Sequence, residues 1–259
     1  MRIGASTANL YPALTETALD DLLARGFRVI EVFFNTPSET TPAFVRSLRE
    51  RADAAGADIV SVHPCLSLAE PFCLFSHYER RFYEFLEQYR RLFEAAAELG
   101  ARYLVLHGDR AENPPLSPEE FAARYAALYD AGAAVGVTLL QENVVRFRAQ
   151  SPAFVRQMRA LLGERAQFTL DLKQCRRAGV PIDAMLDAMG GALRHLHLSD
   201  AAPGHDCLAP GAGDEDFAAL FRRLRAMDYQ GDGVIELYRQ NFGDPQELWD
   251  ARAYLETRL

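Results

Sequence analysis

The chain has 259 residues, 49% hydrophobic and 25% charged, with a formal net charge of −8. That length can bury a full core and lies near the roughly 250 residues typical of one eight-fold α/β barrel. The acidic balance argues against a protein whose main task is neutralising nucleic-acid phosphates, although a local basic patch can sit on an acidic surface.

Short β-rich apolar runs alternate with amphipathic stretches eight times. The expected strands are residues 2–5, 29–34, 58–63, 103–107, 138–142, 167–171, 195–199 and 233–237. Gly26 sits where the first helix should stop. Thr41-Pro42 reads as an N-cap with proline at the first helical position, and Ser151-Pro152 repeats the pattern. Phe82, Phe85, Leu86, Tyr89, Leu92 and Phe93 recur at helical spacing up to a stop at Gly100. Ser117 with Glu120 forms a capping box, and Gly163 marks another stop. Phe217, Leu220, Phe221 and Leu224 give the apolar face of a late helix. These faces are expected to pack on a sheet. The pattern predicts one domain over 1–259, a single (β/α)8 TIM barrel closed by eight parallel strands. A doubly wound sheet is the alternative, because strand count alone does not prove closure.

The start, Met1-Arg2-Ile3-Gly4-Ala5-Ser6, has no apolar h-region, so no signal peptide is expected. No run of about eighteen apolar residues occurs, so no membrane span is expected either. Cys65, Cys73, Cys175 and Cys207 lack CxxC spacing and read as reduced thiols. A cytoplasmic setting follows as an expectation.

A parallel strand buried on both faces should read as continuous Val, Ile and Leu. Here the later strands finish on metal-capable residues: Ser61-Val62-His63, Val105-Leu106-His107, Gln141-Glu142, Leu170-Asp171, His195-Leu196-His197 and Ile235-Glu236. In a barrel the C-terminal strand ends build the active site. Burying so many ionisable groups costs several kcal/mol each unless they pair or bind metal. One strand-end Asp is ordinarily a turn or cap residue. Glu142, Asp171, His197 and Glu236, each ending its own strand, instead suit one divalent ion. Mn2+ or Zn2+ is the first expectation, and Mg2+ or Co2+ also fits.

The segments Gln141-Glu142-Asn143, Leu170-Asp171, His195-Leu196-His197-Leu198-Ser199-Asp200, Pro210-Gly211-Ala212-Gly213 and Val234-Ile235-Glu236 resemble the xylose-isomerase-like barrel superfamily. That group holds sugar isomerases and epimerases, an inosose dehydratase branch and the endonuclease IV type of DNA repair enzyme. The resemblance implies a shared metal site at Glu142, Asp171, His197 and Glu236. It further implies that Glu142 and Glu236 act as acid–base partners across a sugar or polyol substrate. The metal would chelate a carbonyl and the adjacent hydroxyl, and one glutamate would take the proton that the other returns. His63 and His107 match histidines that, with Glu142, hold a second metal in the endonuclease branch. Their other reading is hydrogen bonding to substrate. The expected function is therefore a metal-dependent sugar isomerase or epimerase. Abasic-site phosphodiester hydrolysis and dehydration of a cyclic polyol such as an inosose are the alternatives, and the sequence leaves a homo-oligomer open.

The chain departs from the family at two places. Gln174 stands where a histidine is usual, and the loop after the seventh strand reads His205-Asp206-Cys207 in place of Asp-x-His. The three-zinc nuclease site is thus expected to be incomplete, with Gln174 contacting substrate and Cys207 a plain buried thiol. His195 should point into the same lumen as His197, one layer deeper. Glu31 reads equally as pocket lining or as a buried structural carboxylate. Asn143 and Asp200 are expected to orient the ligands. His77, Arg80-Arg81 and Arg222-Arg223 read as surface, and residues 210–213 as a turn.

Overall fold

The computed structural model describes residues 1–110 and 116–259. Eight strands form a closed parallel barrel: β1 (Ile3–Ser6), β2 (Val29–Phe34), β3 (Asp58–Pro64), β4 (Tyr103–Leu106), β5 (Thr138–Glu142), β6 (Phe168–Asp171), β7 (Leu193–Leu198) and a last strand, Asp232–Ile235. Between β7 and that last strand, β8 (Asp200–Ala202) and β9 (His205–Leu208) make a separate antiparallel pair, so the last strand is β10. In sheet order the barrel runs β1-β10-β7-β6-β5-β4-β3-β2, which removes the doubly wound alternative. The helices are α1 (Thr15–Ala24), α2 (Pro42–Ala54), α3 (Glu70–Cys73), α4 (Glu79–Leu99), α5 (Pro118–Ala133), α6 (Pro152–Leu162), α7 (Leu172–Ala178), α8 (Ile182–Met189), α9 (Phe217–Ala226) and α10 (Gln246–Glu256). Among the described residues no helix is long and apolar enough to cross a membrane.

The helices form where local chemistry allows. α4 buries Phe82, Phe85, Leu86, Tyr89, Leu92 and Phe93 against the sheet and stops at Gly100, whose φ of 76° is left-handed. α5 starts on a full capping box: Ser117 Oγ accepts from Glu120 N–H at 3.1 Å, and Ser117 N–H donates to Glu120 Oε2 at 2.8 Å. Thr41 precedes α2 as expected, but its hydroxyl donates to the Ser38 carbonyl and makes no cap bond. His77 is exposed, and the four cysteines are free thiols.

Several ladders end earlier than the sequence suggests, because side chains replace the neighbouring strand. β10 stops at Ile235, where Asn9 Nδ2 donates to the Ile235 carbonyl at 2.8 Å and Asn9 Oδ1 accepts from Leu237 N–H at 2.6 Å. β4 stops at Leu106. Gln141 Nε2 donates to the His107 carbonyl at 2.7 Å, and Glu70 Oε2 accepts from Gly108 N–H at 2.8 Å. Glu236 and His107 therefore stand just beyond the sheet, on backbone held by side chains.

At the opposite end Asp232 accepts from Arg2 Nη2 and Arg102 Nη2, both at 2.8 Å, tying the starts of β1, β4 and β10 together. Gly4 in β1 lets the neighbouring strand close in: a Cβ there would lie 2.1 Å from the Val29 carbonyl oxygen. Gly4→Ala should lower stability by about 3 kcal/mol and Tm by about 6–12 °C. Calorimetry showing an unchanged Tm would contradict this close strand approach.

Candidate metal centre at the barrel mouth

Parallel register brings the strand-end residues together. Asp171 pairs with His197, His197 pairs with Val234, and Glu142 pairs with Thr169 across β5, β6, β7 and β10. His197 Nδ1 lies 3.2 Å from Glu142 Oε1, 3.3 Å from Glu236 Oε2 and 3.9 Å from Asp171 Oδ2. One ligand atom from each of Glu142, Asp171, His197 and Glu236 fits within 4.8 Å of all the others, and all four residues are buried. Asp171 is held twice over. Its Oδ1 accepts from Gln174 N–H at 3.1 Å, capping α7, while Asn143 grips its backbone N–H and carbonyl at 2.7 and 3.0 Å.

Beneath this quartet lies Glu31, completely buried. Its Oε2 is 3.2 Å from His197 Nε2 and 3.3 Å from His195 Nε2, and accepts from Ser61 Oγ at 2.8 Å. A carboxylate on the far nitrogen of an imidazole fixes both the ring and its tautomer, turning Nδ1 toward the quartet. Glu31 is thus a buried carboxylate that braces His197 from beneath the quartet, and His195 occupies the deeper lumen layer beside it.

His63 and His107 face each other with their Nε2 atoms 3.1 Å apart, and both rings approach Glu142 Oε2, at 3.8 and 3.5 Å. They form a second group of possible ligands with Glu142, and Glu31, His63, His197 and Glu236 form a third. His63 Nδ1 also reaches Glu236 Oε1 at 3.4 Å. Behind His107 stands Glu70, 3.6 Å from its Nδ1 and anchored by the Tyr89 hydroxyl at 2.8 Å. Glu70 escaped the sequence reading because it lies in the connection after β3, without periodicity to mark it.

The donor set fits a cation. Among the described residues, Glu142 Oε2, Glu31 Oε1, His63 Nδ1 and His107 Nδ1 are buried and have no hydrogen-bond partner, and nor has Asp171 Oδ2, although Lys173 Nζ lies 3.0 Å from it. Native proteins rarely leave such atoms unsatisfied. Among the described residues, the four carboxylates Glu31, Glu142, Asp171 and Glu236 face one fixed cation, Lys173, an excess of three negative charges by subtraction. Burial opposes a charge on His63, but Glu236, Glu31 and Glu142 outweigh it and push its pKa up to about 10. Burial likewise opposes charge on His197, which the same carboxylates hold well above the usual histidine range. Burial, with repulsion from Glu142 and Glu236, lifts Asp171 to about 7 against the pull of Lys173. These groups collect protons where a divalent cation would supply the same charge, so metal uptake would release protons.

The surrounding residues divide differently from expectation. Asp200 orients no ligand: its Oδ1 accepts from Ala201 and Glu215 N–H at 2.8 and 2.9 Å, and its Oδ2 from Gly211 and Gly213 N–H at 2.8 and 3.0 Å. It pins the turn at 210–213, because a buried carboxylate draws in whatever N–H groups the loop offers. Gln174 lies beside the site, with Oε1 accepting from Val145 N–H at 3.1 Å. His205 is exposed, Asp206 pairs with Arg177, and Cys207 is buried. Among the described residues no group of possible metal ligands includes His205 or Cys207. Lys173, in the first turn of α7, went unnoticed in the sequence because one lysine among Lys173, Arg176 and Arg177 looks like a solvated helix face.

For any divalent ion this centre takes up, Glu31→Gln should weaken binding about 10- to 100-fold. Titration calorimetry with Mn2+ checks this, and wild-type affinity in the variant would remove Glu31 from the support of His197.

Residues 19–257 match the family described as Xylose isomerase-like TIM barrel. An uncharacterized protein of Mycobacterium leprae is 27% identical over 267 residues, covering 92% of this chain and 89% of that protein. Among solved structures, 3-keto-D-glucoside 4-epimerase from E. coli superposes with a TM-score of 0.79 at 21% identity, covering 99% of each chain. D-psicose 3-epimerase from Clostridium cellulolyticum H10 superposes with a TM-score of 0.82 at 16% identity, covering 100% of this chain and 98% of that one. With the family match spanning nearly its whole length, the chain belongs to the xylose isomerase-like TIM barrel family.

Proposed function

We propose that the protein is a divalent-metal-dependent sugar isomerase or epimerase that moves a proton at the carbon beside a carbonyl of a ketose, aldose or polyol derivative. The observation that carries this reading is the buried pair Glu142 and Glu236, which converge on one imidazole nitrogen, His197 Nδ1, from different strands. The names of the superposed epimerases agree with it. Glu142, Asp171, His197 and Glu236 would hold the ion, with Mn2+ or Zn2+ suiting the mixed oxygen and nitrogen donors. When bound, the ion supplies Lewis acidity that makes the adjacent C–H easier to deprotonate.

The chain's own residues do the rest. One glutamate takes the proton and the other delivers one, to the opposite face for epimerisation. Their depth in the barrel keeps water from competing for the carbanion. His63 and His107, at the same mouth, hydrogen-bond substrate hydroxyls. Gln174 commits its Oε1 to Val145, which leaves its amide N–H groups to donate to a substrate oxygen.

A second reading rests on the His63–His107–Glu142 group, which also suits a second metal and hence phosphodiester hydrolysis at abasic DNA. The net charge of −8 and the dispersed Gln174, His205 and Cys207 count against it. In D2O with Mn2+, a panel of free and phosphorylated ketoses should yield a product of unchanged carbon skeleton carrying deuterium at the carbon beside the carbonyl. Glu236→Gln should slow that exchange by about 100-fold or more. Turnover without exchange would mean hydride shift, and loss of water from a cyclic polyol would mean dehydration. Efficient nicking of an abasic oligonucleotide would favour the second reading instead.

A further inference from the structure

Lys173 sits two residues after Asp171, in the first turn of α7, with its side chain only 4% exposed. Its ammonium lies 2.9 Å from Glu236 Oε2 and 3.0 Å from Asp171 Oδ2. Those are the same two oxygens that face His197 Nδ1 at 3.3 and 3.9 Å. Half of the oxygens and nitrogen gathered around that point are therefore already paired with a cation built into the chain. The ammonium also lies 5.0 Å from the Tyr238 ring, whose hydroxyl accepts from Arg177 Nη1 at 2.9 Å. An aromatic face of this kind can keep an ammonium that has lost a carboxylate partner.

We infer that Lys173 is a resident counter-ion, which a divalent metal must displace from Asp171 Oδ2 and Glu236 Oε2, so that it sets metal affinity below what the carboxylates alone would give. The inference rests on the metal-dependent reading above. Two effects of losing Lys173 oppose each other: weaker ordering of the ligands, and removal of a repelling charge. Ordering survives without it. Asp171 is fixed by Gln174 and Asn143, and the backbone around Glu236 by Leu198 and Asn9. The charge does not survive, and at these distances in a buried site charge dominates. Lys173 thus sets the charge of the centre without being needed to position its ligands.

Calorimetric titration of Mn2+ into metal-stripped full-length protein tests this. Lys173→Met, which keeps an unbranched stem, should bind Mn2+ at least about tenfold more tightly than wild type, whereas Lys173→Arg should not exceed it. Lys173→Gln, which can still hydrogen-bond both carboxylates, serves if the methionine variant fails to fold, and should move in the same direction. Thermal unfolding gives an independent readout: the neutral variants should melt lower without metal and gain more in Tm from Mn2+ than wild type does. Equal or weaker binding by foldable neutral variants, with wild type binding normally, would overturn the role of Lys173 and leave the metal reading intact. No binding of Mn2+ or Zn2+ by any of the proteins would overturn both.

Discussion

Like charges buried side by side are the constraint on which this molecule turns. Glu31, Glu142, Asp171 and Glu236 share a few ångströms of barrel interior, and each would be costly there alone. The residues around them each reduce that cost in a different way. Lys173 pairs two of the four, His197 lies against all four, and Ser61 donates to Glu31. The excess that remains is the site's chemical property. It attracts protons or a cation.

The barrel makes this arrangement affordable by fixing backbone where its ladders end. Asn9, Gln141 and Asn143 each take over hydrogen bonds at strand termini, and Asp200 does the same for the turn beyond β8 and β9. These side chains touch no reacting group. They hold Glu236, His107 and Asp171 on rigid supports, so the charged atoms cannot relax apart. Specificity of placement comes from polar strand caps, while the apolar contacts between sheet and helices supply most of the stability.

Much of this was legible in the sequence for a simple reason. A buried parallel strand has no cause to carry charge, so Glu142, Asp171 and His197 stood out at the ends of otherwise apolar runs. The period-two rule likewise placed His195 beneath His197. Glu31 was ambiguous because it lies in mid-strand, and only its distance to both histidines shows that it serves the site from below. Lys173 and Glu70 left no signal: one stands in the first turn of a helix rich in basic residues, the other opens α3, which is too short to show a period. Asp200 misled because it follows the candidate ligand His197 in sequence, whereas its partners in space are the backbone N–H groups of Ala201, Gly211, Gly213 and Glu215. The few residues of the antiparallel pair β8 and β9 carry no alternation, so nothing in the sequence marks them as strands.

We propose that the mouth of the barrel is a divalent-metal centre formed by Glu142, Asp171, His197 and Glu236. Crystals grown with Mn2+ and measured at the manganese absorption edge test it most directly. The expected result is a strong anomalous peak within bonding distance of Glu142, Asp171, His197 Nδ1 and Glu236, with Lys173 moved off the ligand oxygens. A peak confined to the protein surface, or none at saturating Mn2+, would contradict the claim.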